Sequence, residues 1–116
     1  MYFEERGKKM NLSTNKSHKF GIFQSSDVSC VFYKEDEDGN QSTFNIFVLN
    51  KENKNRIFAF IDNCQMDKDV WHSDEKFSIK DAIKVFNDWA VDSPILFEIE
   101  AQKNLSNCFK NFMFQK

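Results

Sequence analysis

The sequence predicts an α+β domain: an antiparallel sheet of four or five strands, one main helix at about 78–90 packed on a face, and a short C-terminal helix. Three observations predict it. Apolar residues alternate with a period of two from Phe20 to Asp62, they recur at steps of three and four from Ser78 to Ala90, and turn-forming residues separate these runs.

The strands follow in order. "KFGIFQ" opens the run, and in "VSCVFYK" Val28, Cys30 and Phe32 share one face while Val31 and Tyr33 take the other. "EDEDGNQ" is a turn, with Asp38-Gly39 supplying residues that tolerate positive φ. "STFNIFVLN" returns with Phe44, Ile46 and Val48 opposite Phe47 and Leu49, so the pair reads as a hairpin. After "NKENKN", "RIFAFID" adds Ile57, Ala59 and Ile61 on one side and Phe58 and Phe60 on the other. Apolar residues on both sides imply a sheet covered on both faces, or one aromatic face kept for a partner.

Ser78 and Asp81 have the form of a capping box, in which a hydroxyl and a carboxylate satisfy early helical N–H groups. Ile79, Ala82, Ile83, Phe86, Trp89 and Ala90 then form one apolar stripe, with Lys80, Asp81, Lys84, Asn87 and Asp88 outward. Trp89 is expected in the core. "VDSP" ends the helix because Pro94 disfavours helical geometry at Ser93. "ILFEIEA" reads as a fifth strand on which Glu98 and Glu100 project together, and Leu105, Cys108, Phe109, Phe112 and Met113 read as a closing amphipathic helix.

With 116 residues the chain fits one domain, and its 14 phenylalanines forecast an aromatic core. Residues 1–19 read as a flexible basic segment and 20–116 as the folded domain. Arg6, Lys8, Lys9, Lys16 and Lys19 outnumber Glu4 and Glu5 by three, so a whole-chain charge of −2 leaves −5 for Phe20–Lys116. Neither a spanning helix nor a secretory leader is legible, so a cytoplasmic location without membrane contact is expected. Cys30, Cys64 and Cys108 lie too far apart for a paired-ligand motif and read as reduced core thiols. No metal or cofactor is expected, since neither His18 nor His72 lies at an i, i+4 spacing from a second histidine or a cysteine and no glycine-rich phosphate loop occurs.

"DNCQMDKDVWHSDEK" reads as a loop in which Asp67, Asp69, Asp74 and Glu75 surround Trp71 and His72. An exposed aromatic ringed by carboxylates has the composition of a binding hot spot for a basic partner. Glu35, Asp36, Glu37 and Asp38 of the first hairpin are expected to add to this face. The acids lack the order and the glycine of a calcium loop.

The stretch "FSIKDAIKVFNDWAVDSPILFEIE" resembles the C-terminal signature of polymorphic-toxin immunity proteins of the contact-dependent inhibition type, the first numbered immunity family. Phe77 and Ile79 match its apolar lead-in, Ala82 and Phe86 its helix, Pro94 its turn proline, and Leu96 to Glu100 its terminal strand. Asp92 and Ser93 stand where that family often has Gly and Arg, and Ser78 where proline is common. The resemblance implies a small cytosolic bacterial α+β protein that binds and blocks a cognate toxin, often a nuclease or deaminase.

The leading expectation is therefore a non-catalytic inhibitor, an antitoxin, that neutralises a basic nucleic-acid-processing toxin domain and makes no direct contact with nucleic acid. A phage-encoded inhibitor of a nucleic-acid-binding defence complex would use the same physics. An enzyme or ligand binder using Cys64, His72 and the Glu98 and Glu100 pair is a second class. An adaptor that forms a homodimer through an aromatic edge strand such as "FNIFVL" is a third.

Overall fold

The computed structural model describes residues 2–4, 9–14, 18–64 and 68–114. Among the described residues seven strands, β1 Tyr2–Glu4, β2 Lys9–Thr14, β3 His18–Ser25, β4 Ser29–Asp36, β5 Gln41–Lys51, β6 Lys54–Asn63 and β7 Lys68–His72, precede two helices, α1 Ile79–Trp89 and α2 Ile95–Phe114. The strands lie in chain order and every neighbouring pair is antiparallel, an α+β arrangement built on a meander.

Local chemistry makes the turns. Glu52 and Asn53, both at positive φ (55° and 63°), form the two-residue link from β5 to β6, the backbone twist that suits adjacent antiparallel strands. In the β4–β5 turn Gly39 takes φ 87°. There the Asp36 carboxylate accepts from the Asp38 and Asn40 backbone N–H groups, each at 2.9 Å, and from the Asn40 side chain at 3.2 Å. Those bonds, the Asn40 backbone bond foremost, hold the Asp36 carboxyl below its ordinary range.

Alternation divides the sheet into two faces. Phe20, Ile22, Cys30, Phe32, Phe44, Ile46, Ile57 and Ala59 share one buried core with Ala82, Phe86, Trp89, Ala90, Phe97, Ala101, Leu105, Cys108 and Phe109. Phe86 lies at its centre, with ring centroids 5.0 Å from Phe32, 5.4 Å from Phe44 and 6.1 Å from Phe97. The other face is aromatic as well. Phe23 lies 4.5 Å from Tyr33, Phe47 stacks on Phe58 at 5.7 Å, and Phe60 lies 6.1 Å from His72.

Helix α1 carries the capping box that its sequence predicts. Asp81 N–H donates to Ser78 Oγ at 3.1 Å, and Ser78 N–H donates to the Asp81 carboxylate at 3.2 Å. Ala82, Phe86, Trp89 and Ala90 are buried, whereas Ile83 stays 45% exposed. Ile83 therefore lies at the margin of the stripe rather than inside it.

Several expectations are corrected. "ILFEIEA" is not a strand but the first part of α2, so the strand that the family resemblance implies at Leu96–Glu100 is absent. Pro94 precedes the helix, and its carbonyl accepts from Glu98 N–H at 3.1 Å. Phe97, Ala101, Leu105, Cys108 and Phe109 face the core at helical spacing, while Ile95 (72% exposed) and Ile99 (57%), read as Phe97's partners on a strand face, point to solvent. Within residues 1–19 the described strands β1 and β2 and the first residues of β3 pair antiparallel, β1 with β2 and β2 with β3. Cys64 is exposed, unlike Cys30 and Cys108. "FNIFVL" lies within β5, paired to β4 and β6 on its two sides, so it offers no free edge for a homodimer.

Candidate partner-binding cleft

The stretch read as a loop before α1 contains β7. His72 pairs with Phe60 and Trp71 with Ile61, and a register shift follows before Asp69 meets Asp62. Ser73 N–H donates to the Ala59 carbonyl at 2.9 Å, and Ala59 N–H donates to Ser73 Oγ at 3.0 Å, which fastens the end of β7 to β6. Beyond it Asp74 accepts from Lys76 N–H at 2.9 Å, a tight turn that carries the chain to Phe77 and into the Ser78 cap.

This path builds a cleft of about 440 Å³ between β7 and α1. Trp71, Phe77 and Val85 supply its apolar lining, with Trp71 and Phe77 ring centroids 5.6 Å apart. Asp74, Asp81 and Asp88 line it with carboxylates, against the single ammonium of Lys84, and His72 completes the wall. Trp71 is half-buried and packs against the core, so the aromatic part of the cleft is held by the fold.

Among the predicted site residues, Trp71, His72 and Asp74 come together here, and Glu75 follows on the same exposed turn. Asp69 lies in β7, and Asp67 lies outside the described residues. Glu35, Asp36, Glu37 and Asp38 do not join the cleft. They occupy the β4–β5 hairpin, and β5 and β6 intervene, a separation of roughly 14 Å at ordinary strand spacing. Asp36 instead lines a polar recess of about 180 Å³ with His18, Lys34 and Asn63. The lining residues missed in the sequence reading are Phe77, Asp81, Lys84, Val85 and Asp88. Asp81, Lys84 and Asp88 were legible as part of an outward face of α1, but nothing in the sequence placed that face beside Trp71.

No family model, curated protein or solved structure matches this chain. The site is therefore read from its own geometry.

Two catalytic arrangements raised by the sequence are not assembled. Cys64 lies four residues along from Phe60, the register partner of His72, roughly 13 Å at the rise of a strand, so the two do not form a thiol–imidazole pair. Glu98 and Glu100 lie two residues apart on α2, about 200° around the helix, and do not project together. Glu100 faces Lys103 at 3.8 Å instead. Among the described residues no three His, Cys, Asp or Glu side chains are grouped to hold a metal ion, and no helix is long and apolar enough to cross a membrane.

Proposed function

We propose that this protein is a non-catalytic inhibitor that binds a basic protein, a cognate toxin domain of nuclease or deaminase type, through the cleft between β7 and α1. The observation that carries this reading is the placement of Asp74, Asp81 and Asp88 around an aromatic lining of Trp71 and Phe77. A fixed aromatic anchor ringed by carboxylates suits a Lys or Arg side chain, which lays its alkyl stem on the rings and its charge among the acids. The −5 balance of Phe20–Lys116 adds long-range attraction for such a partner. The cleft and the charge support this role without the immunity-family motif, whose strand is helical in this chain.

The test compares the full chain with an Asp74→Asn, Asp88→Lys variant as bait in affinity capture from the source cell, washed at low and then high salt. Asn at 74 keeps an oxygen to accept from Lys76 N–H. A basic protein held near equal stoichiometry, released by salt, inhibited in its own assay and lost from the variant is the expected result. Equal retention by both baits, with matching thermal melting curves, would show that the cleft is not the binding site.

A further inference from the structure

A cavity of about 330 Å³ separates α1 from the middle of α2. Ile79 and Ile83 wall it from α1, Leu105 and Phe109 from α2, and Phe86 lies between them. Phe86, Leu105 and Phe109 are buried, so the core closes its floor, and exposed Ile83 opens onto this space. Asn87, Gln102 and Ser106 supply polar atoms, and no charged side chain is among the described residues that line it. In a chain with 29% charged residues, such a lining favours an apolar guest.

A second cavity, about 310 Å³, adjoins the first at Phe86, Asn87 and Gln102, so the two form one groove. Its character is reversed. Asp92 and Glu98 line it, and Ser93 Oγ donates to Glu98 Oε1 at 3.5 Å. Ala90, which caps α1, lines it too, and the last turn of α1 holds no basic residue, so the negative helix end adds to the two carboxylates. Lys34 reaches the Trp89 carbonyl from β4 and does not line the groove.

We propose that the groove between α1 and α2 binds a small amphipathic amine, its apolar body against Ile83 and Phe109 and its ammonium beside Asp92 and Glu98. An apolar chamber followed by an anionic one complements such a molecule, which is protonated at neutral pH as a lysine side chain is. Each chamber is of small-molecule size. From Ile83 to Ala90 the helix rises roughly 10 Å, about the length of an octyl chain. The site is separate from the β7 cleft, because Asp81 and Val85 each lie two residues from Ile83, about 200° around α1.

The experiment titrates the full chain with octylamine, octanol and octanoate, one apolar body with three heads, and follows the side-chain amides of Asn87 and Gln102 by NMR. Octylamine should shift both saturably and bind up to about fivefold more tightly than octanol, with octanoate weakest. Glu98→Gln, which keeps an oxygen for Ser93, should weaken octylamine toward octanol and leave octanol unchanged. Ser106→Trp, at an exposed position, should fill the apolar chamber and abolish binding of all three. The Asp74→Asn, Asp88→Lys variant should bind octylamine as the wild type does. Octanoate bound as tightly as octylamine, octylamine affinity unchanged in both Glu98→Gln and Ser106→Trp, or its loss on changing Asp74 and Asp88 would overturn the proposal. So would shifts of the same amides with protein concentration alone, which would put a second copy in the groove.

Discussion

The Lys34 ammonium donates to the Trp89 carbonyl at 2.8 Å and sits 5.2 Å from the centroid of the same residue's indole ring. Trp89 ends α1, where carbonyls lack helical partners and the helix is negative, so a cation from β4 satisfies both. The indole N–H donates in turn to Ser42 Oγ of β5 at 3.1 Å. Two strands thus hold one helix end through a single residue. Lys34→Met, which keeps the alkyl stem and removes the charge, should cost about 1–2 kcal/mol in urea unfolding. Ser42→Ala, which leaves the indole N–H without this acceptor, should cost about 1 kcal/mol.

Helix α1 offers a paired test of its buried face. Phe86 touches four aromatic rings, and its replacement by alanine should cost about 3–5 kcal/mol. Ile83 is 45% exposed, so Ile83→Ala should cost less than about 1.5 kcal/mol. Comparable losses in the two variants would mean that the helix presents a different face to the sheet.

The cap at Ser78 is separable from packing because the residue is exposed. Ser78→Ala should lower stability by about 1 kcal/mol, whereas Ser78→Asn, which still accepts an N–H bond, should recover most of it. Thermal melting of the two variants checks this.

Tyr33 gives the fold an alkaline limit. Burial, with Glu35 adding a smaller contribution, pushes its phenol from 10.0 up to about 12. Between these values the native state holds a proton that the unfolded chain has released, so stability falls as pH rises. This contribution is fully present below about pH 10 and is lost through about pH 12. Lys34, lowered by burial, acts in the opposite direction below 10.5, so the decisive quantity is the difference between the wild type and Tyr33→Phe. The variant should show a flatter alkaline slope, and phenolate absorbance should lose its late-titrating step.

The elements that depend on near neighbours in the chain were legible. Alternation placed β3 to β6, and the Ser78 and Asp81 pair placed the start of α1. The first part of α2 was not, because Ile95, Phe97 and Ile99 satisfy a period of two as well as Phe97, Ala101 and Leu105 satisfy a helical one. The register of α2 against β4 selects between them, burying Phe97 and leaving both isoleucines outside. Strand β7 escaped detection for a related reason: five residues with three charged or imidazole side chains carry little periodicity, and pairing to β6 supplies their order.

For the candidate site, the sequence by itself determined the ingredients, an aromatic at Trp71 with Asp74 nearby and an acidic balance. Only the tertiary structure decided which acids share a surface. Chain proximity brought Asp74 to Trp71, packing of α1 added Asp81 and Asp88, and two intervening strands kept Glu35 to Asp38 apart. Composition specifies charge, but a binding surface needs distances, and those are set by strand order and by the helix face that the core buries.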